Sequence, residues 1–472
     1  MKKIYLTTAI PYVNGKPHVG HALDYLLADV CARYHRLHGD EVRLQVGTDE
    51  HGGKIYQKAK DLGLPVQEYV DDNVKLFKSF IEKMGVTYTD FIRTTDKEHI
   101  KRCQEIWRRL SDHIYSAEYE GWYCDGCERY VTEKEYEENS GVCLDHQKPY
   151  RKLKEQNYYF RIADFKDKIR EAIEADELRI LPEFRKREIL KLIEESPDVS
   201  VSRPVSQLQW GIPVPDGSEQ TMYVWIDALS NYLTILGYPD TSIEDWWPAE
   251  VQFIGKDILR FHAIIWPAML IGLGLPLPKN MVTHGFILSD GQKMSKSIGN
   301  VIDPMEVLEK RGRDAFRYYF LKHIDTFNDS DFTWERFDAA YNNELANDLG
   351  NLVQRLATLA QKNNLTEVSI DGVFQMPDEY IALMDNYEYT KAFEYVWSLI
   401  QDLNRKIDNE KPWVLAKNGE LEKLKDCLTI LVKELLGVNY LLSPFLPDAS
   451  ERIYEVFEAP IAPPREPLFP KS

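Results

Sequence analysis

The chain has 472 residues, 44% hydrophobic, 12% aromatic and 28% charged. At ~150 residues per domain it holds about three domains, which excludes a single small binding module, and the composition excludes a disordered chain. The formal net charge of −18 argues against non-specific coating of nucleic acid or adsorption to an anionic membrane, while leaving room for a local basic groove.

The first fifteen residues carry two lysines but no apolar stretch, because Thr7, Thr8 and Pro11 interrupt it. No secretion signal is therefore expected, and the six cysteines should be reduced thiols in a cytoplasmic protein. Residues 3–10, KIYLTTAI, read as a buried strand. A turn-rich PYVNGKP follows, then a helical pattern from about 18 to 38. A second strand, EVRLQVG, leads into the polar turn TDEHGG and another helix. This order predicts a doubly wound parallel α/β sheet of the Rossmann type.

Residues 114–211 are rich in Tyr, Glu and Cys with few long apolar runs, and read as an insertion that splits the sheet. Strand signals return at TMYVWID and VQFIGKD, each followed by a helix. The nearly uncharged stretch 261–278 is ~18 residues long, at the short edge of a membrane span. Pro267, Pro276 and Pro278 interrupt it, so it reads as a core helix running into a loop and no membrane association is expected. From 334 the pattern is helical. Leu345, Leu349, Leu352, Val353, Leu356 and Leu359 repeat at three- and four-residue spacing, which predicts an all-α bundle. Prolines at 460, 463, 464, 467 and 470 predict an extended tail. The expected segments are 1–113 and 212–280 for the α/β domain, 114–211 for the insertion, 281–333 for a linking region, and 334–472 for the bundle.

Three motifs carry chemistry. His18-Val19-Gly20-His21 lies where the first strand's loop enters a helix, a place that favours phosphate; two histidines there can donate to phosphoryl oxygens, and Gly20 allows a flat ring close to the backbone. Alone, this could be a helix start with two exposed histidines. Lys293-Met294-Ser295-Lys296-Ser297 places two ammonium groups in a glycine-flanked loop that can cover a triphosphate. Cys124-x2-Cys127 and Cys143-x2-His146 offer three thiolates and an imidazole, which suits one closed, structural, tetrahedral zinc. An iron–sulfur cluster fits less well, because one ligand is His.

The pairing of His18…His21 with Lys293…Lys296, ~270 residues apart, resembles the two signatures of the class I aminoacyl-tRNA synthetases. Val19 stands where the family signature usually has Ile. The segments GTDEHG, YVWIDAL, FIGKDILRFH, DLGNLVQR and NEKPW resemble the methionine-specific branch, in its compact bacterial form with one zinc knuckle. The resemblance implies ATP-dependent activation of methionine to its adenylate, then transfer to the terminal adenosine of tRNA(Met). His18, His21, Lys293 and Lys296 would be the catalytic groups around the phosphates. Gly20, Gly255, Asp257, Ile287 and Lys296 would bind ATP, with Asp257 on the ribose hydroxyls. Ala9, Ile10 and Tyr12 would line one side of the methionine pocket; Trp225, Ala228, Leu229, Tyr232, Phe261, His262 and Trp266 would line the other. Asp49 would pair with the ammonium group. Leu229 departs from a proline found in some relatives. Asn351, Arg355 and Trp413 would read the anticodon, and Mg2+ would accompany ATP. A monomer is expected.

The rival readings are fewer. The cysteine enzyme carries zinc in its amino-acid pocket, whereas here the Cys/His set lies in the insertion. The leucine, isoleucine and valine enzymes need a larger editing insertion than ~100 residues. A tRNA-binding paralogue without catalysis has no need of the intact His18, His21, Lys293 and Lys296.

Overall fold

A computed structural model describes residues 1–126, 129–145, 147–289, 291–294, 301–368 and 374–471. They form two compact units, and neither is a single stretch of chain. The first comprises 1–16, 41–79 and 88–283, and the second 17–40, 80–87 and 284–472. The helix that follows the first strand therefore clusters with the second unit, which chain order alone does not reveal.

The first unit is built on a six-stranded sheet. Its order is Asp90–Arg93, Glu41–Thr48, Lys3–Thr8, Val251–Gly255, Asn280–His284, Arg179–Leu181. The registers run parallel between 3–8 and both 41–48 and 251–255, and also between 41–48 and 90–93. Residues 4–8 and 251–255 are buried on both faces, as central parallel strands are. The strand order reverses between 3–8 and 251–255, so ligand binding is expected beyond their carboxyl ends, at Ala9, Ile10 and Gly255. The sixth strand, Arg179–Leu181, comes from within 114–211 and pairs in parallel with 280–282. The rest of that stretch contains an antiparallel sheet of Arg129–Val131, Ile114–Cys124, Arg151–Phe160 and Val199–Ser200.

TMYVWID is not a strand. Only Gln220–Met222 is extended, in a two-stranded pair with Ser202–Pro204, and Val224–Thr234 is helical. A short apolar run cannot be assigned by periodicity when it is buried all round, and Ile226 to Thr234 are all buried. The 261–278 stretch is helical from Phe261 to Gly272, its first turn wound as π-helix. Among the described residues, no helix is long and apolar enough to cross a membrane.

The second unit is largely helical. Helices Tyr389–Glu410 and Leu421–Leu442 pack together, and Arg313–Lys322 packs on both Ala22–Leu37 and Tyr389–Glu410. Arg317, fully buried, ties them: it pairs with Asp29 at 2.8 Å and donates to the Pro444 and Phe445 carbonyls. The expected stripe on Asn351–Lys362 shifts slightly. Leu352, Leu356 and Ala360 are buried at four-residue spacing, with Val353 and Ala357 beside them, and Leu359 is half-buried. Among the described residues, the tail 458–471 has no helix or strand. Arg452 holds it by donating to the carbonyls of Glu466, Pro467 and Leu468.

Candidate functional site

In the first unit, an aromatic wall forms where helix Val224–Thr234 meets the π turn Phe261–Ile265. Such wide turns recur at functional sites. Trp225 stacks on Phe261, with centroids 3.8 Å apart and planes 6° from parallel. His262 stands edge-on to Trp225 at 6.1 Å. Tyr232 contacts both His262 and Trp266, at 5.8 and 5.6 Å. Trp266 is wholly buried and donates to Gln252 Oε1 at 3.1 Å. Ala228 and Leu229 are buried on the same helix, with Leu229 in the main core. Trp225 and Phe261 stay partly exposed, so the wall has an open side.

The wall carries a defined proton arrangement. His262 Nδ1 lies 3.0 Å from the Ile258 carbonyl, which can only accept, so Nδ1 bears the hydrogen. Nε2 is then the lone-pair side and accepts from the Tyr232 hydroxyl at 2.8 Å. Burial pushes the imidazole down from 6.5 to about 4, against the opposing pull of the Ile258 carbonyl. The unfolded chain therefore takes up this proton at higher pH than the folded one does. The stability held by neutral His262 is complete above pH ~6.5 and is lost as pH falls toward about 4. Unfolding free energies of the parent and His262→Gln should thus converge by about 2 to 3 kcal/mol between pH 7 and pH 4.5. A pH-independent gap would contradict this assignment.

Opposite in sequence, the Asp49 turn is tightly tethered. The Asp49 backbone exchanges hydrogen bonds with Pro11 and Val13, at 2.9 and 3.0 Å, bringing Tyr12 alongside Asp49. Ala9 donates to the Phe253 carbonyl at 3.0 Å. Asp49 is 8% exposed, and Ile10 and Tyr12 are half-buried. Gly52 has φ +127°, and a Cβ there would collide with the Tyr12 hydroxyl. The sequence reading missed this position, although the Gly-Gly pair in TDEHGG marks it. Gly255 ends its strand, and Asp257 stands exposed in the turn beyond it.

The second unit holds the signature residues. Val19–His21 is a single 3-10 turn, capped by histidine. The His18 Nδ1 accepts from the Gly20 amide and His21 Nδ1 accepts from the His18 amide, each at 3.1 Å. Both rings therefore carry their hydrogen on Nε2 when neutral, which makes Nε2 the donor. The rings stack at 3.8 Å. The flat ring that Gly20 admits is that of His18, whose atoms a Cβ would meet at 2.8 and 2.9 Å. Ile287, 5% exposed, opens a hairpin, Ile287–Ser289 and Gln292–Lys293, in which Leu288 pairs with Lys293. Strand Ser330–Phe332 runs parallel beside it, and Asp331 accepts from the Gly291 amide at 2.9 Å. Lys296 lies outside the described residues.

On the bundle, the Arg355 guanidinium lies 4.8 Å over the Trp413 ring and pairs with Asp408 at 2.6 Å. Trp413 is 40% exposed. Asn351, one turn before Arg355, is exposed.

Of the Cys/His set, Cys127 and His146 lie outside the described residues. Cys124 and Cys143 are buried in one small cluster with Val131 and Tyr150. Trp122 and Tyr136, stacked at 3.9 Å, flank it. Burial raises the Tyr150 phenol, against a hydrogen bond from Asn139. Two buried thiols brought to one place fit a shared metal.

A parallel sheet with a His-x-Gly-His turn and a Lys-Met-Ser-Lys-Ser segment defines the class I aminoacyl-tRNA synthetases. A family model described as tRNA synthetases class I (M) matches residues 4–357. The methionine–tRNA ligase of Thermotoga maritima is 38% identical over 471 residues, 96% of this chain and 75% of that protein. The Listeria monocytogenes enzyme of the same name is 41% identical, over 94% of this chain and 71% of its own. A solved structure of Mycobacterium tuberculosis methionyl-tRNA synthetase in complex with methionyl-adenylate matches at a TM-score of 0.91 and 33% identity, covering 100% of both chains. The chain belongs to the methionyl-tRNA synthetase family.

Proposed function

We propose that this chain activates methionine with ATP and passes it to tRNA(Met), with the aromatic wall of Trp225, Phe261, His262, Tyr232 and Trp266 as the seat of the methionine side chain. The stacked Trp225–Phe261 pair beside a neutral His262 is the observation that carries this reading. A thioether is soft and gains ~0.3–1.5 kcal/mol from each aromatic contact. Asp49 pairs with the ammonium group, and Ala9, Ile10 and Tyr12 complete the pocket. Asp257 and Gly255 hold the adenosine, with Ile287 behind the adenine. His18 and His21 donate through Nε2 to phosphate oxygens, and Lys293 and Lys296 offset the charge of the triphosphate.

The methionine carboxylate attacks the α-phosphorus, and pyrophosphate leaves. The 2′-hydroxyl of the tRNA's terminal adenosine then attacks the carbonyl, and AMP leaves. Positioning and charge stabilisation supply the acceleration. Mg2+ enters with ATP, held mainly by phosphates and water. Methionine-dependent exchange of pyrophosphate into ATP without tRNA is expected; a requirement for tRNA would contradict this order of steps.

Cys124, Cys127, Cys143 and His146 hold one structural zinc, which stabilises a small lobe with little apolar core of its own. Elemental analysis should find about one zinc per chain, and none would overturn the assignment. Asn351, Arg355 and Trp413 contact the anticodon. The enzyme works as a cytosolic monomer.

A further inference from the structure

Helix Val224–Thr234 is buried on two sides for opposite reasons. One side carries Trp225, Leu229 and Tyr232 of the wall. The other carries Asp227, Ser230, Asn231 and Thr234, none more than 1% exposed. A carboxylate this deep is costly unless it is paired, and Asp227 is paired twice. Its Oδ2 accepts from His51 Nδ1 at 2.6 Å, and its Oδ1 accepts from His99 Nε2 at 2.7 Å. His99 Nδ1 in turn meets the Thr234 hydroxyl, on the same helix, at 2.7 Å. Asn231 Oδ1 accepts from Gln45 Nε2 at 2.8 Å. Burial alone would raise the Asp227 carboxyl, but His51 and His99 together hold it below its ordinary value.

The atoms of His99, Cys103 and Asp227 lie close enough to suggest a metal set. The geometry is that of hydrogen bonds instead. His99 Nε2 and Asp227 Oδ1 are already bonded directly, and burial raises the Cys103 thiol and keeps it neutral.

The other end of the chain of bonds is equally fixed. His51 is two residues from Asp49, and Glu50 between them is locked. Arg93 donates to both Glu50 carboxylate oxygens at 2.8 Å, Trp210 Nε1 donates to its carbonyl at 2.7 Å, and its amide donates to Thr94 at 2.9 Å. The segment that carries Asp49 is thus held in place, and the His51–Asp227 bond links it to the helix that carries Trp225, beside the Gln45–Asn231 bond from the preceding strand.

We propose that Asp227, gripped by His51 and His99, is a positioning residue for methionine activation: it sets the helix Val224–Thr234 against the Asp49 turn, so that the aromatic wall and the ammonium partner stand the length of a methionine apart. This rests on the methionine pocket proposed above. Asp227 touches no substrate. It acts through Trp225 and Tyr232 on one side and Asp49 on the other.

The test is the methionine KM in ATP–pyrophosphate exchange, which partial unfolding does not move because only folded molecules turn over. Asp227→Asn keeps the volume and removes the charge and one acceptor oxygen; it should raise the methionine KM about tenfold or more, as a misplacement of the reacting groups does, with the ATP KM within about twofold. His51→Leu and His99→Leu should do the same. His51→Asn and His99→Gln, whose amide nitrogens stand in for Nδ1–H and Nε2–H, should return the methionine KM to within about threefold of the parent. Unchanged methionine KM in Asp227→Asn, or identical behaviour of the Leu and amide variants, would overturn the positioning role. Trp225→Ala separates this from the pocket reading. If it raises the methionine KM while Asp227→Asn does not, the pocket stands and the positioning role falls. If Trp225→Ala leaves the KM unmoved, the pocket reading itself is wrong.

Discussion

Trp225→Ala should raise the methionine KM by about 30- to 150-fold, the equivalent of about 2 to 3 kcal/mol for removing a half-buried aromatic anchor. The indole lies flat on Phe261 at 3.8 Å and meets the edge of His262 at 6.1 Å. Its loss removes one face of the slot and frees the Phe261 ring to turn. The ATP KM should stay within about twofold, because the adenosine contacts assigned here do not involve this ring. Trp225→Phe should fall between, since it keeps a stacking plane of smaller area. Exchange kinetics at varied methionine measure this directly. An Ala variant with parental methionine KM would remove the wall from the pocket.

Trp413→Ala should reduce kcat/KM for tRNA charging by about 10- to 100-fold, in line with the loss of one base stacked on an aromatic ring. ATP–pyrophosphate exchange should be unchanged. Arg355 holds its guanidinium over the Trp413 face while Asp408 anchors its other edge. The pair therefore presents a preformed flat surface with a charged rim, suited to an unstacked base. Arg355→Ala should weaken tRNA and flatten the salt dependence of its affinity, despite the −18 charge of the whole chain. A matching loss of exchange and charging in Trp413→Ala would show damage to the fold, not to recognition.

The sequence exposed much of this through short, local patterns. Ile4–Thr8 is a run that is buried on both faces, and it reads as a central strand without help. His18…His21 and Lys293…Lys296 carry the family resemblance through residue type and spacing, and their phosphate role is a proposal. The stretch Tyr223–Asp227 misled, because a largely buried helix and a buried strand look alike over five residues. The pairing of Asp227 with His51 and His99 was invisible for another reason. The partners are 176 and 128 residues away, and a lone Asp in an apolar run gives no hint of who neutralises it. Gly52 is intermediate: its glycine pair is visible, but only the fold shows that Tyr12 occupies the space a side chain would need. The strand 179–181 is hidden inside what reads as an insertion, since three residues carry no periodicity.

Methionine activation at this site is tested most directly by ATP–pyrophosphate exchange with each of the twenty amino acids in turn. Methionine should support exchange at least about 100-fold better, by kcat/KM, than leucine or any other amino acid, if the aromatic wall seats an unbranched thioether as proposed. Exchange that is equally fast with a second amino acid, or absent with methionine, would contradict a methionine-specific site.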